Sequence, residues 1–172
     1  MGELVLVTGG ARSGKSDFAQ SLVSADADAP VTYVATAEAL DVEMAERIRR
    51  HRARRPAHWR TVEAPIDADR RVAQLAAEPG WVILDCLTIF LANILEETDD
   101  DEIFARADAM AEAVLAGRGN VVVVTNEVGS GIVPDNPLAR RFRDTAGLAN
   151  QRLARKATAV YLAVAGLIQQ LK

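Results

Sequence analysis

Eight residues near the start of the chain restrict its fold more than any other segment. Residues 9–16 read GGARSGKS, the pattern G-x-x-x-x-G-K-[ST], and they follow the apolar run LVLVT at 4–8. Glycines let a backbone wrap around phosphate groups with its N–H groups pointing inward. Apolar residues at 18, 19, 22 and 23 predict a helix directly after the loop. A strand, this loop and a helix together indicate a site for a nucleoside triphosphate.

Two residues of this loop have expected roles in binding phosphate and metal. Lys15 would place its ammonium on the β and γ phosphates, and Ser16 would hold Mg²⁺ through its hydroxyl. The metal needs a carboxylate as well, and Asp85 ends the apolar run WVIL at 81–84, as such a ligand does. Asp85 could instead cap the helix that follows it. Glu127, after the apolar run at 121–124, competes for the metal or for proton transfer.

Short apolar runs alternate with helical patterns along the rest of the chain. The predicted strands cover 4–8, 31–35, 60–63, 81–84, 121–124 and a last one at 159–164, and the predicted helices cover 16–24, 41–54, 68–77, 87–96, 101–117 and 137–157. Short buried strands separated by helices are typical of a parallel sheet covered on both faces. We therefore predict an α/β fold of the P-loop NTPase (RecA-like) kind, with a mostly parallel sheet and one domain over 1–172.

Ligands of such sheets bind at the carboxyl ends of the strands. The polar residues expected at those ends are Thr8, Thr36, Asp85, Thr125, Asn126 and Glu127.

Composition narrows the class of protein. The chain has 172 residues with 49% apolar and 26% charged side chains, as expected of a soluble globular protein. A net charge of −4 argues against a nucleic-acid binder. No apolar stretch approaches the roughly 20 residues of a membrane span, and the segment MGELVLVTGG does not resemble a signal peptide. With Cys86 as its single cysteine, the chain is expected to be cytoplasmic.

Both histidines lie in one arginine-rich segment, RIRRHRARRPAHW at 47–59. Six arginines within nine residues could form a solvated basic surface or a second surface that handles phosphate. Neutral histidine is a nucleophile, and nearby cations favour its neutral form. The residues alone therefore leave two roles open for His51: a covalent one, and stacking or packing. The helical period of 41–54 places Met44, Ile48 and His51 on one stripe.

Several further motifs give the chain a resemblance to a known family. They are VTGGARSGKS at 7–16, YVATA at 33–37, D-x-EM-x-x-RI-x-x-H at 41–51, RPAHW-x-T-x-E at 55–63, TNEVGSGIVP at 125–134 and ARRFRD-x-x-G-x-x-NQ at 139–151. In this order they resemble the bifunctional adenosylcobinamide kinase / adenosylcobinamide-phosphate guanylyltransferase family of cobalamin biosynthesis. The resemblance covers nearly the whole chain.

The resemblance implies two reactions. ATP or GTP phosphorylates the aminopropanol hydroxyl of adenosylcobinamide, and GTP then donates GMP to that phosphate, which gives adenosylcobinamide-GDP and pyrophosphate. In the family the GMP passes through a covalent histidine, which corresponds to His51, with His58 as the weaker choice. The nucleotide contacts that the resemblance implies are Gly9, Gly10, Ala11, Arg12, Ser13, Gly14, Lys15, Ser16, Ala35, Thr36, Ala37, Arg52, Ala53, Arg54, Arg55, Glu63 and Asp85.

The resemblance also implies that the chain assembles as a homotrimer, which the sequence itself does not reveal. Arg140, Arg141, Arg143 and Asp144 could bind the substrate phosphate or a neighbouring subunit, or could be plain surface charges. Two other functions stay open at this stage. One is a simple P-loop kinase in which His51 only packs or stacks, and the other is a nucleotide-dependent regulatory protein without a small substrate.

Overall fold

Seven strands and six helices are formed in residues 1–26 and 28–172, which the computed structural model describes; of Arg47 it describes the backbone alone. The strands are β1 (Leu4–Gly9), β2 (Val31–Ala35), β3 (Arg60–Glu63), β4 (Trp81–Asp85), β5 (Asn120–Asn126), β6 (Ala159–Val164) and β7 (Leu167–Gln170). The helices are α1 (Lys15–Ser24), α2 (Val42–Ala53), α3 (Ala68–Ala76), α4 (Leu87–Ile94), α5 (Asp100–Ala116) and α6 (Pro137–Lys156). Their ends lie within two residues of those predicted.

All the strands belong to one sheet, in the order β3-β2-β4-β5-β1-β6-β7. The pairings from β3 to β6 are parallel, and only β7 pairs antiparallel, with β6. The predicted mostly parallel α/β fold is therefore confirmed. The prediction that the run at 159–164 is the last strand is wrong. The chain turns back at Ala165 and Gly166, whose φ angles of 52° and 81° are those that a two-residue hairpin requires.

Successive residues of the strands point into two separate apolar layers, one on each face of the sheet. In β1, Leu4 and Leu6 pack in the layer covered by α3, α4, α5 and α6. Val5 and Val7 pack in the other layer, against α1 and Trp59. Because both faces are covered, the inner strands β1, β4 and β5 are apolar at most positions, which explains their continuous apolar runs in the sequence.

Three helices begin at capping side chains. Asp41 accepts a hydrogen bond from the Met44 N–H at the start of α2, and Asp99 accepts one from the Glu102 N–H at the start of α5. Asn136 caps α6 ahead of Pro137. Such caps satisfy backbone N–H groups that have no partner inside the helix. Within the described ranges, no helix combines the length and the apolar character that crossing a membrane requires.

A buried ion pair joins α3 to α5. Asp69, which is 6% exposed, accepts two hydrogen bonds from the Arg106 guanidinium, at 2.6 and 3.0 Å. Arg106 also donates to the backbone carbonyl of Ile66 at 2.8 Å. Removing one partner of such a pair leaves the other charge buried without compensation, which costs far more than an exposed pair contributes.

We expect Arg106→Ala to lower the free energy of unfolding by about 3 kcal/mol, because the Asp69 carboxylate loses its counter-charge in a buried place. Urea unfolding followed by circular dichroism measures the change. Arg71→Ala is the matched control on α3, since its pair with Asp67 is about half exposed and should contribute less than about 1 kcal/mol. Equal losses of unfolding free energy in the two variants would contradict the larger contribution assigned to the pair of Arg106 and Asp69.

Candidate functional site

Residues 9–16 form a tight loop between β1 and α1 at the carboxyl edge of the sheet. Gly14 precedes α1 with φ of 94°, and Arg12 has φ of 56°. Lys15 is 8% exposed, and its ammonium donates to the Gly10 carbonyl at 2.9 Å. The ammonium therefore lies folded over the loop, beside the N–H groups at the start of α1. This arrangement attracts an anion such as a phosphate.

The hairpin turn between β6 and β7 lies directly against this loop. The Gly166 N–H donates to the Ser13 carbonyl at 2.9 Å. A Cβ atom on Gly14 would lie 3.3 Å from the Gly166 Cα, closer than an ordinary contact. The turn thus supports the outer side of the phosphate loop and leaves no free room for a side chain at Gly14.

Two adjoining cavities open beside the loop, and three residues, Lys15, Ser16 and His51, line both of them. The first is also lined by Tyr33, Ala35, Ala37, Met44, Ile48, Arg55, Asp85, Cys86, Ile89 and Asn126. The second is also lined by Arg12, Ser13, Gly14, Asp17, Glu43, Glu46, Arg50, Arg54 and Gly166. The stripe of Met44, Ile48 and His51 predicted from the helical period thus faces the phosphate loop as one surface.

Asp85 is held at the floor of the first cavity by Tyr33. The Tyr33 hydroxyl donates a short hydrogen bond to Asp85 Oδ2. The Arg55 guanidinium stacks on the Tyr33 ring, with its central carbon 3.4 Å from the ring centroid. Burial raises the pKa of Tyr33, and the charge of Asp85 raises it further. The phenol therefore keeps its proton and remains a donor to Asp85 throughout the physiological range.

The alternative role of Asp85 as a helix cap is wrong. The residue that precedes α4 is Cys86, whose side chain makes no capping bond, while the Asp85 carboxylate is bound by Tyr33. The Thr36 hydroxyl holds the backbone here, since it accepts from the Cys86 N–H and donates to the Cys86 carbonyl, both at 2.9 Å. Burial raises the pKa of the Cys86 thiol, so this cysteine stays protonated and packs in the core.

Ser16 and Asp85 provide a donor set that suits Mg²⁺. The two side chains line the same cavity as Lys15, and a hydroxyl and a carboxylate are the oxygen donors that this ion prefers. Because Tyr33 donates to Oδ2 of Asp85, the Oδ1 atom is left for a metal. No group of three His, Cys, Asp or Glu residues that could hold a metal occurs in the described part of the chain. That fits a P-loop metal, whose other ligands are phosphate and water.

The arginine segment divides into residues that line the cavities and residues that lie beside them. Arg54 and Arg55 line the cavities, and Arg54 lies 4.0 Å from Asp17 on α1. Arg52 pairs with Glu63 at 3.9 Å, and both side chains are exposed. The expected nucleotide contacts that do not line either cavity, as far as the described residues show, are Gly9, Gly10, Ala11, Thr36, Arg52, Ala53 and Glu63.

The two histidines are placed differently. His51 lines both cavities, whereas His58 is exposed and lines neither of them. Asn126, which ends β5, and Glu127, which follows it, differ in the same way. Asn126 lines the first cavity, while the Glu127 carboxylate is exposed and accepts the Gly129 N–H at 2.7 Å. The geometry favours Asp85 over Glu127 as the metal carboxylate.

The arginines at the start of α6 contact backbone carbonyls and carboxylates within the fold. Arg141 donates to the Asp100 carboxylate and to the carbonyls of Leu95 and Thr98. Arg140 donates to two loop carbonyls, and Arg143 pairs with Asp144. These contacts favour a structural role for Arg141, which connects α6 to the segment before α5.

Three residues that line the first cavity were not expected from the sequence as parts of the site: Tyr33, Cys86 and Ile89. Each follows the apolar pattern of a buried strand or helix, so its type indicates core packing. For Tyr33 the available signal was its position in a strand that ends at the predicted site.

The model of the family described as cobinamide kinase / cobinamide phosphate guanyltransferase matches residues 5–171. The chain belongs to this family. A relative from Salmonella typhimurium, named bifunctional adenosylcobalamin biosynthesis protein CobU, is 43% identical over 98% of the chain and 99% of its own length. CobP of Pseudomonas aeruginosa, with the same bifunctional description, is 42% identical over 97% of the chain and 96% of its own length. The resemblance drawn from the motifs is therefore confirmed.

Solved structures support the fold. The flagellar accessory protein FlaH of Methanocaldococcus jannaschii aligns with a TM-score of 0.54 at 15% identity, over 99% of this chain and 78% of its own. A solved ATPase domain aligns with a TM-score of 0.56 at 13% identity, over 93% of this chain and 68% of its own. At these identities the likeness concerns the fold alone, and it supports the mostly parallel α/β fold.

We expect Gly14→Ala to weaken nucleotide binding at least tenfold, because a Cβ at φ of 94° is strained and approaches Gly166. Titration with a fluorescent GTP analogue measures the affinity. Gly147→Ala is the control, since this glycine lies within α6 with open space at its Cβ position. The control should bind nucleotide as the unaltered chain does and gain up to about 1 kcal/mol in stability. Equal binding by both variants would contradict the role of Gly14.

Proposed function

We propose that the two family reactions take place at the cavities between the phosphate loop and α2. In the first reaction ATP or GTP phosphorylates the aminopropanol hydroxyl of adenosylcobinamide. In the second, GTP donates GMP to adenosylcobinamide phosphate, which gives adenosylcobinamide-GDP and pyrophosphate. The observation that carries this proposal is the position of His51, which lines both cavities together with Lys15 and Ser16.

For the kinase step the phosphate loop binds the triphosphate. Lys15 contacts the β and γ phosphates, and the N–H groups of residues 9–16 surround them. Ser16 and Asp85 would hold Mg²⁺, which would offset the negative charge of the phosphates. The oxygen of the acceptor hydroxyl then attacks the γ phosphorus, and the hydroxyl proton passes to water. The bond between the γ phosphorus and the bridging oxygen breaks, and the nucleoside diphosphate leaves with the electron pair.

For the guanylyl transfer a nucleophile must reach the α phosphorus instead. A neutral His51 attacks it, the bond to pyrophosphate breaks, and pyrophosphate leaves with the electron pair. The phosphate of the substrate then attacks the same phosphorus and releases the histidine. Arg54 and Arg55 line the cavities beside His51, so their charges offset the charge that develops on the transferred group.

The remaining expectations extend this proposal. We propose that Ala35, Thr36, Ala37, Arg52, Ala53 and Glu63 contact the nucleotide as the resemblance implies, and that residues 1–172 act as one transferase domain. The chain is further proposed to be a cytoplasmic homotrimer whose partners are small molecules and not nucleic acid.

A simple P-loop kinase is the main alternative, because the phosphate loop, Ser16 and Asp85 would suffice for γ-phosphoryl transfer. In that case His51 would only pack against Met44 and Ile48 on α2. A regulatory protein is the third possibility, and it would bind or hydrolyse the triphosphate without turning over cobinamide.

Incubation with GTP radiolabelled at the α phosphate should give a labelled protein adduct that is labile in acid and stable in base, as a phosphoramidate is. His51→Ala should abolish the adduct. His58→Ala, the matched control, should leave it unchanged, because His58 is exposed and outside both cavities. Absence of any adduct in the unaltered chain would favour the simple kinase.

Lys15→Ala should impair both reactions at least a hundredfold, because the ammonium that holds the triphosphate is lost. Kinase turnover and GMP transfer are measured separately on the same preparation. If either reaction continued at the original rate, that reaction would not use this loop.

The proposed trimer predicts a particle of about three times the 18.5 kDa chain mass in multi-angle light scattering. A single peak at the mass of one chain, across a range of protein concentrations, would contradict it.

A further inference from the structure

The side chain of Tyr33 contacts two different parts of the site at once. Tyr33 lies on β2, is 2% exposed, and its ring lines the first cavity. Its hydroxyl donates to Asp85 Oδ2. The Arg55 guanidinium stacks on its ring, with the central carbon 3.4 Å from the ring centroid. The two contacts join the carboxylate of the metal site to the arginine beside His51.

At the carboxylate, the Tyr33 hydroxyl fixes the orientation of the Asp85 side chain. An unrestrained carboxylate can rotate about its terminal torsion, which is broad in energy. With Oδ2 held by Tyr33, the remaining oxygen keeps one direction in the cavity that Ser16 lines. Bonds of this kind to a ligating carboxylate typically change metal affinity by 10- to 100-fold.

At the arginine, the ring holds the guanidinium by its flat face. Stacking leaves the N–H groups at the edge of the guanidinium free to bind phosphate oxygens. Arg55 Nη1 donates to the Thr61 hydroxyl at 3.3 Å. Arg55 Nε is buried, and the described residues offer it no hydrogen-bond acceptor. Arg55 lines the same cavity as His51, so the charge of the guanidinium suits this cavity to an anionic ligand.

We infer that Tyr33 is a positioning residue for both reactions, with a separate part of the side chain serving each one. The hydroxyl orients Asp85 toward the metal of the triphosphate. The ring holds Arg55 where it can bind the phosphate that His51 receives. The inference rests on the proposed function for its second half, whereas its first half concerns only metal binding.

Two substitutions of Tyr33 separate the hydroxyl from the ring. Tyr33→Phe keeps the ring and removes the hydroxyl, and Tyr33→Leu removes both. Binding of Mn²⁺ in the presence of a non-hydrolysable GTP analogue, followed by electron paramagnetic resonance, measures the first function. The rate of adduct formation from GTP labelled at the α phosphate, at saturating Mg²⁺, measures the second.

We expect Tyr33→Phe to bind Mn²⁺ about tenfold more weakly and to form the adduct within about threefold of the original rate once metal is saturating. Tyr33→Leu should show the same loss of Mn²⁺ affinity. In addition its adduct formation should slow at least tenfold at saturating metal, because Arg55 loses the surface on which it stacks.

Tyr161→Phe is the matched control, because Tyr161 is the other tyrosine of the chain and its ring packs against Phe18. It should change neither measurement. If Tyr33→Leu fails to fold, Arg55→Gln replaces it, and we expect its adduct formation to slow at least tenfold at saturating Mg²⁺ and GTP.

Unchanged Mn²⁺ affinity in Tyr33→Phe would overturn the role of the hydroxyl. Equal loss of adduct formation in Tyr33→Phe and Tyr33→Leu at saturating metal would overturn the role of the ring, as would an original rate in Arg55→Gln. If the unaltered chain forms no adduct, the proposed guanylyl transfer is wrong, and the inferred role of the Tyr33 ring in that transfer is wrong with it. The Mn²⁺ measurement then still decides the role of the hydroxyl.

Discussion

Parallel pairing of β1 between β5 and β6 determines where every polar group of the site can lie. Gly9 ends β1 opposite Asn126 of β5 and Ala163 of β6, and Asp85 of β4 is level with Val124. The strands point the same way, so their ends place the phosphate loop, the carboxylate and the amide along one edge. The burial of both faces fixes this register, because a shift by one residue would exchange the side chains of the two apolar layers.

Charge distinguishes the arginines on α2 from the two that directly follow it. Hydrogen bonds from Arg49 and Arg50 lower the pKa of Glu46 to about 2. Glu46 is therefore ionised at neutral pH and offsets part of the positive patch, which leaves Arg54 and Arg55 as the arginines nearest the reacting groups. The links from the end of α2 to Asp17 and Glu63 are long and exposed, and such pairs contribute little to stability. These two ion pairs therefore fix the end of α2 only weakly to α1 and β3.

Local patterns in the sequence were sufficient for most of the fold. Apolar runs identified the strands from β1 to β6, and helical period identified the stripe that carries His51, because both signals depend on neighbouring residues. The strand β7 was missed because LIQQ is short and half polar, and because its turn, Ala165-Gly166, departs from the common hairpin pairs. Tyr33 was missed for another reason. Its partners Asp85 and Arg55 lie on other elements, and nothing in the spacing of an aromatic residue within a strand indicates a hydrogen bond to a carboxylate 52 positions away.

The contact between Ser13 and Gly166 has a consequence for how the protein is made. The ribosome completes β1 and the phosphate loop first, but the partners of β1 are β5 and β6, and the turn that supports the loop follows β6. β1 can therefore pair in the sheet only after β5 and β6 have been synthesised. Until β5, β6 and the turn at Gly166 have been made, a nascent chain has no finished nucleotide site, and its apolar β1 lacks its partners in the sheet. Such pairing between distant segments also slows refolding relative to proteins whose contacts are local.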